Sequence, residues 1–199
     1  MITRANIAKY WYNKGINKNT FRIEELSDNS DFNEVELVVI DLGEPGCWAC
    51  GKPIINGDAH LNLSINQRWN QSGLERCHIL AKQFGGKDVA ENLFLLCHRC
   101  HLASPDTRNS NNFFAWIITR KIKGGYIGDI KEGIMKAAEC KHMNIEEIDE
   151  KILEKELHKS DNSEKIIKSM HLNSGFHGGQ VVDSTIYMNF IDEIYKREQ

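Results

Sequence analysis

Four of the chain's six cysteines fall in two pairs, Cys47-Trp48-Ala49-Cys50 and Cys97-His98-Arg99-Cys100. The tight turn within each pair aims two thiolates at one point. Two such turns complete a tetrahedral shell around a zinc ion and leave no open position. A closed shell of that kind is structural: it ties down a segment too rich in loops to build much core of its own. Two unrelated Cys-x-x-Cys pairs, or a redox pair, are the alternatives. A redox pair needs only one turn and a thioredoxin-like context, which is missing. The other two cysteines, Cys77 and Cys140, stand apart from this frame.

Between and just after the pairs lie three more residues of chemical use: His78, Asn92 and His101. An imidazole that is neutral near pH 7 can take a proton from water, or can ligate a divalent cation. Asn92 can brace a loop through side-chain to backbone hydrogen bonds. Gly85-Gly86 allows that loop to turn where a Cβ would clash. His78 has a plainer reading as a half-buried polar residue on a strand. His101 has one as a zinc-site neighbour, or as a zinc ligand in place of Cys100.

The string LERCHILAKQFGGKDVAENLFLLCHRCHLASPD, residues 74–106, resembles the HNH nuclease family and its ββα-metal fold. The order is His, Gly-Gly loop, Asn-Leu, then Cys-x-x-Cys-His, and the likeness covers about residues 47–106. It implies a metal-dependent endonuclease that hydrolyses DNA phosphodiester bonds and leaves 5′-phosphate and 3′-hydroxyl ends. It assigns His78 as general base, Asn92 as the brace of the His78 loop, and His101 as ligand of a catalytic divalent cation, Mg²⁺ or Mn²⁺. The cysteines Cys47, Cys50, Cys97 and Cys100 keep the structural zinc.

At one position the sequence departs from the family. Many members carry an acid, a second metal ligand, just before the catalytic histidine; here that residue is Cys77. A thiolate suits Zn²⁺ or a late transition metal better than Mg²⁺. Cys77 is then inert and buried, or it ligates a softer ion, or the module cuts poorly. Side chains alternate along a strand, so Cys77 and His78 face opposite ways. Arg76 shares the face of His78, and Glu75 shares that of Cys77 as a lesser candidate ligand.

The net charge of −3 gives no general affinity for nucleic acid, but the charge is segregated. Residues 47–136 hold 12 Lys+Arg against 7 Asp+Glu, while both flanks are acidic. Phosphate affinity follows local charge. Arg76, Arg99, Arg108, Arg120 and Lys121 are the candidates for phosphate contact, each with a solvated basic face as its plain alternative. Double-stranded DNA is the expected partner, with RNA as an alternative. A nucleic-acid-binding zinc module that no longer cuts is the other rival. A double-strand cutter with one site per chain would work as a homodimer. Trp48 is expected over the zinc knuckle. Phe113, Phe114, Trp116 and Ile117 are expected in packing rather than on bases.

Elements must position these groups. Leu74–Leu80 and Asn92–Leu96 read as strands joined by a Gly-containing loop, and a helix opens at His98. Upstream, 2–12 reads as a helix with Ile7, Tyr10 and Trp11 on one face, stopped at Gly15. Glu34–Leu42 reads as a strand, and Phe21–Phe32 is polar without clear period. Downstream, 112–123 is helical, Gly124-Gly125 interrupts, 129–158 is helical with a break near Asn144, and 181–195 is amphipathic. Asn173–Gln180 is a Gly-rich loop, and within it 175–179 is either a lid or a plain surface loop. His60, His98, His142, His158 and His171 read as surface residues. The expected fold is α+β: a 1–46 helix and strand extension, a ββα-metal module at 47–106, and a mostly helical 107–199. No apolar run is long enough to span a membrane, and the polar start lacks a signal-peptide pattern. The expected location is therefore cytoplasmic.

Overall fold

Strands β4 (Glu75–His78) and β5 (Leu93–Leu96) pair antiparallel, with Cys77 opposite Phe94 and His78 opposite Leu93. All four residues of β5 are buried, which is why it reads as an unbroken apolar run rather than an alternating one. Helix α3 (His98–Ala103) follows at once. The strand–strand–helix order expected for this stretch is therefore present. The computed structural model describes residues 2–54, 62–155 and 184–196.

The rest of the first half wraps this hairpin. Helix α1 (Arg4–Trp11) starts under a Thr3 cap, whose hydroxyl accepts from Asn6 N. It buries Ala5, Ile7, Ala8 and Trp11, while Tyr10 stays exposed. The Trp11 indole Nε1 donates to the carbonyls of Ala90 and Leu93, each at 2.9 Å. Strands β1 (Lys14–Asn17), β2 (Ile23–Glu25) and β3 (Val35–Leu37) form an antiparallel sheet in the order β2-β1-β3. Gly15 is not a helix stop. It lies inside β1, where an added Cβ would strike Val35 Cγ1, so glycine is there to let two strands approach. The strand expected at 34–42 is the shorter β3, and the polar stretch at 21–32 holds β2.

Helix α2 (Ile65–Gln71) had no counterpart among the sequence expectations. A capping box starts it: Ser64 accepts from Gln67 N, and the Gln67 side chain returns to the Ser64 N–H. Trp69 on α2 is buried and donates to the Leu42 carbonyl at 2.6 Å. Helix α4 (Ser110–Ile122) buries Phe113, Phe114, Ile117 and Ile118. These side chains close an aromatic core in which Phe94 has Trp11 and Trp48 at 5.0 Å and Phe113 at 5.4 Å, all edge-on. Phe113, Phe114 and Ile117 are thus in packing, as expected, and Trp116 lies against the same core.

By its contacts the chain divides into two compact units, 1–126 and 127–199. The stretches read as extension (1–46) and zinc module (47–106) both fall in the first, and 107–199 is shared between the two. The second unit is helical. Helix α5 (Gly125–Cys140) starts just before the division, and α6 (Ile145–Glu154) and α7 (Ser184–Tyr195) complete the set among the described residues. Asn144 caps α6, which explains the expected break there. Ala137, Ala138, Ile148, Ile191 and Ile194 form this unit's own core. The class is mixed helix and antiparallel sheet, α+β. Among the described residues no helix is long and apolar enough to cross a membrane. The Gly-rich segment at 173–180, its 175–179 stretch included, lies outside the described residues, as do His60, His158 and His171.

Candidate active site and metal centre

The sulfur atoms of Cys47, Cys50, Cys97 and Cys100 all lie within 4.8 Å of one another. Cys50 and Cys97 sulfurs are 3.9 Å apart. Tetrahedral ligands at a zinc–sulfur distance of about 2.3 Å would be separated by about 3.8 Å, close to the Cys50–Cys97 spacing, so the four thiols could hold a metal such as zinc. Backbone bonds shape the first turn: Cys47 N donates to Lys52 O at 2.9 Å, and Gly51 N to Cys47 O at 2.8 Å. The second turn runs straight into α3, where His101 N donates to Cys97 O. Crowding perturbs the thiols in opposite directions. Hydrogen bonds from Cys100, Cys47 and Cys50 hold Cys97 far below the usual thiol range. Bonds from Cys100 and then Cys47 bring Cys50 to about 7. Cys100, the shared donor, is pushed up. Cys47 is pushed up as well, so the four close thiols share their protons unevenly, and a cation in their midst would take the place of those protons. Gly125 abuts this knuckle: an added Cβ would meet the Cys50 carbonyl, which also accepts from Tyr126 N at 2.7 Å. Trp48, between the two cysteines of the first pair, is buried in the aromatic core.

The hairpin loop carries the second group. Asn92 bridges its two ends. The amide oxygen accepts from Leu80 N at 2.8 Å, and Nδ2 donates to Leu80 O at 3.1 Å and Lys87 O at 3.0 Å. The two glycines divide the labour. Gly85 takes a φ of +91° with open space around it; at Gly86 an added Cβ would fall on the Leu80 carbonyl and lie 2.9 Å from Asn92 Nδ2. Within the loop so held, Asp88 Oδ1 lies 2.7 Å from His78 Nε2, and its other oxygen is 2.7 Å from Lys82 Nζ. Lys82 first, then His78, holds the Asp88 carboxyl below its ordinary value.

On the other face of β4, Glu75 joins both histidines of α3. His101 Nδ1 donates to one carboxylate oxygen at 2.5 Å, and His98 Nδ1 to the other at 2.7 Å. This leaves His101 Nε2 as the nitrogen available to a ligand. His98 is exposed, as expected, and so is His142. Cys77 is buried, and its thiol donates to Ser104 Oγ at 3.2 Å. Burial pushes this thiol up, so it stays protonated and makes a poor ligand. Among the described residues, the four cysteines alone gather three or more donor atoms that closely. Glu75, His98 and His101 make a looser set.

The candidate phosphate contacts fall into two groups. Arg99 and Arg108 are exposed, and the Arg108 guanidinium lies 4.7 Å from the centre of the Phe84 ring. Arg76, Arg120 and Lys121 are half-buried. Arg76 Nη1 donates to Ile2 O at 2.9 Å. Lys121 Nζ meets Glu36 Oε1 at 2.7 Å and Leu37 O at 2.9 Å, with 17% of its side chain exposed. Arg120 reaches the Cys100 sulfur at 3.9 Å.

Sequence reasoning missed Asp88 altogether and ranked Glu75 low. Asp88 carried one signal: it follows the Gly-Gly pair by two residues in a loop that must return to Asn92. No family model, curated protein or solved structure matches this chain, so the arrangement of these side chains is the ground on which function rests.

Proposed function

We propose that the chain is a metal-dependent endonuclease of the HNH type that hydrolyses DNA phosphodiester bonds. The observation that carries this reading is the hairpin and helix at 75–103. It presents an imidazole on the first strand, an asparagine bracing the loop, and a second imidazole on the helix, beside a four-thiol metal site.

In this reading His78 takes a proton from water. The water oxygen bonds to phosphorus, the bond from phosphorus to the 3′-oxygen breaks, and the departing oxygen keeps the electron pair and is protonated by solvent. Asn92 holds the loop that flanks His78. His101 would offer its Nε2 to a divalent cation, and Glu75, bonded to Nδ1, orients that ring. Once bound, that cation supplies positive charge for the phosphate. Zinc in the Cys47/Cys50/Cys97/Cys100 shell fixes the base of α3. Arg99 and Arg108 are the exposed phosphate contacts.

Nicking of supercoiled plasmid in Mg²⁺, Mn²⁺, Ni²⁺ or Zn²⁺ tests this. Wild type cuts, and His78→Ala cuts at least 100-fold more slowly. Persistent cutting by His78→Ala would sink the mechanism. A second reading, binding without cleavage, is favoured by the buried, protonated Cys77 at the family's acidic position. Retarded migration of DNA with no cutting in any of the four ions would establish it. Structured RNA as a parallel substrate separates DNA from RNA cleavage.

A further inference from the structure

The assignment of His78 as a base leaves open what orients its ring. An imidazole is a base at one nitrogen only if the proton is held on the other. The side chain that bonds the His78 ring is Asp88, 2.7 Å from Nε2. An ionised carboxylate only accepts hydrogen bonds, so the proton of that contact belongs to Nε2. Nδ1 is then the nitrogen that carries the lone pair.

We propose that Asp88 is a positioning residue for the reaction: it fixes His78 as the Nε2–H tautomer and stabilises the imidazolium that forms when Nδ1 takes the proton from water. This deepens the nuclease reading and rests on it for its catalytic part. The placement is built rather than incidental. Asp88 directly follows Lys87, whose carbonyl Asn92 holds at 3.0 Å. Gly86, one residue earlier, admits no side chain because the Leu80 carbonyl and Asn92 occupy that space. Lys82 holds the second Asp88 oxygen at 2.7 Å and stops the carboxylate from swinging away. Asn92 and Gly86 thus serve chemistry by delivering Asp88 to the back of His78. The unit works like the acid–histidine pair of acyl-transfer enzymes, in which the acid chooses the tautomer and never takes the proton. Asp88 is half exposed, so water weakens its pull, and its removal costs far less than loss of a buried acid in such a pair.

The experiment has two readouts on full-length, metal-loaded protein. Long-range proton–nitrogen correlation on histidine-labelled protein near neutral pH reports which His78 nitrogen is protonated, with His78→Gln identifying the signal. Wild type shows Nε2 protonated and Nδ1 bare. Asp88→Asn shows mixed tautomers, and Asp88→Glu restores the bias. In plasmid nicking, Asp88→Asn lowers kcat roughly 10- to 100-fold with KM and melting temperature near wild type, and Asp88→Glu recovers most of the loss. A wild-type His78 with its proton on Nδ1, or an Asp88→Asn variant with unchanged tautomer and kcat, overturns the proposal. If the tautomer bias is present but nothing is cut, the nuclease reading fails while the Asp88–His78 pairing stands.

Discussion

Asn92 makes three hydrogen bonds from one side chain, two of them to the same residue, and so closes the 80–92 loop almost as a strand pair would. Removing it leaves the Leu80 and Lys87 groups to water. Asn92→Ala should therefore lower stability by about 1–3 kcal/mol in denaturant unfolding, and slow cutting more than it weakens DNA binding. Gly86→Ala should be the worse of the two glycine substitutions. At Gly85 the cost is only that of a positive φ, about 1 kcal/mol, whereas at Gly86 the added carbon meets backbone. Thermal melting of both variants checks the order; equal loss, or greater loss at Gly85, would refute it. The residues in this loop differ in how legible they were. Asn92 and the glycine pair announced themselves by type and spacing. Asp88 did not, because an exposed Asp in a turn is commonplace and its partner is ten residues away. Arg76 and Lys121 were misleading for the opposite reason: charge is visible in a sequence, but the carbonyls and carboxylate that occupy it are not.

Elements were legible where local pattern and burial agree. β5 is an apolar run because both of its faces are covered, and α4 carries its buried Phe113, Phe114, Ile117 and Ile118 at helical spacing. α2 was overlooked although the Ser64-x-x-Gln67 box was in plain view; its seven residues bury one large side chain, Trp69, and show no period. Gly15 was misread because a glycine after a helix and a glycine at a close strand crossing look the same in one dimension. What no local pattern could reveal is that α1 belongs to the hairpin. Trp11 Nε1 donates to Ala90 O and Leu93 O, on either side of Asn92. Trp11→Phe keeps an aromatic ring against Phe94 but removes both hydrogen bonds from a buried place. It should cost about 2 kcal/mol and reduce cutting by loosening the end of the loop that carries Asp88. Unchanged activity at full folding would show that α1 supports the core and not the site.

At the scale of the whole molecule, two cores of different character lie along one chain. The first, 1–126, is aromatic and closes on the four thiols; the second, 127–199, is helical in its described residues, and its fully buried side chains are Ala and Ile. The chain's four tryptophans, Trp11, Trp48, Trp69 and Trp116, all belong to the first. Tryptophan fluorescence therefore reports that unit alone, while far-ultraviolet circular dichroism sees helices of both. A structural zinc contributes on the order of 10 kcal/mol of binding free energy to the fold that holds it, comparable to the whole stability of a small domain. Stripping the metal with a strong chelator, or breaking the shell with Cys97→Ser, should abolish or greatly lower the fluorescence-detected melting transition and end cutting. A helical transition should persist in circular dichroism, because Ile148, Ile191 and Ile194 pack without help from the thiols. Loss of both transitions together would mean that the second unit depends on the first. Loss of neither would mean that the four thiols hold no metal, and the zinc reading would fall with that result.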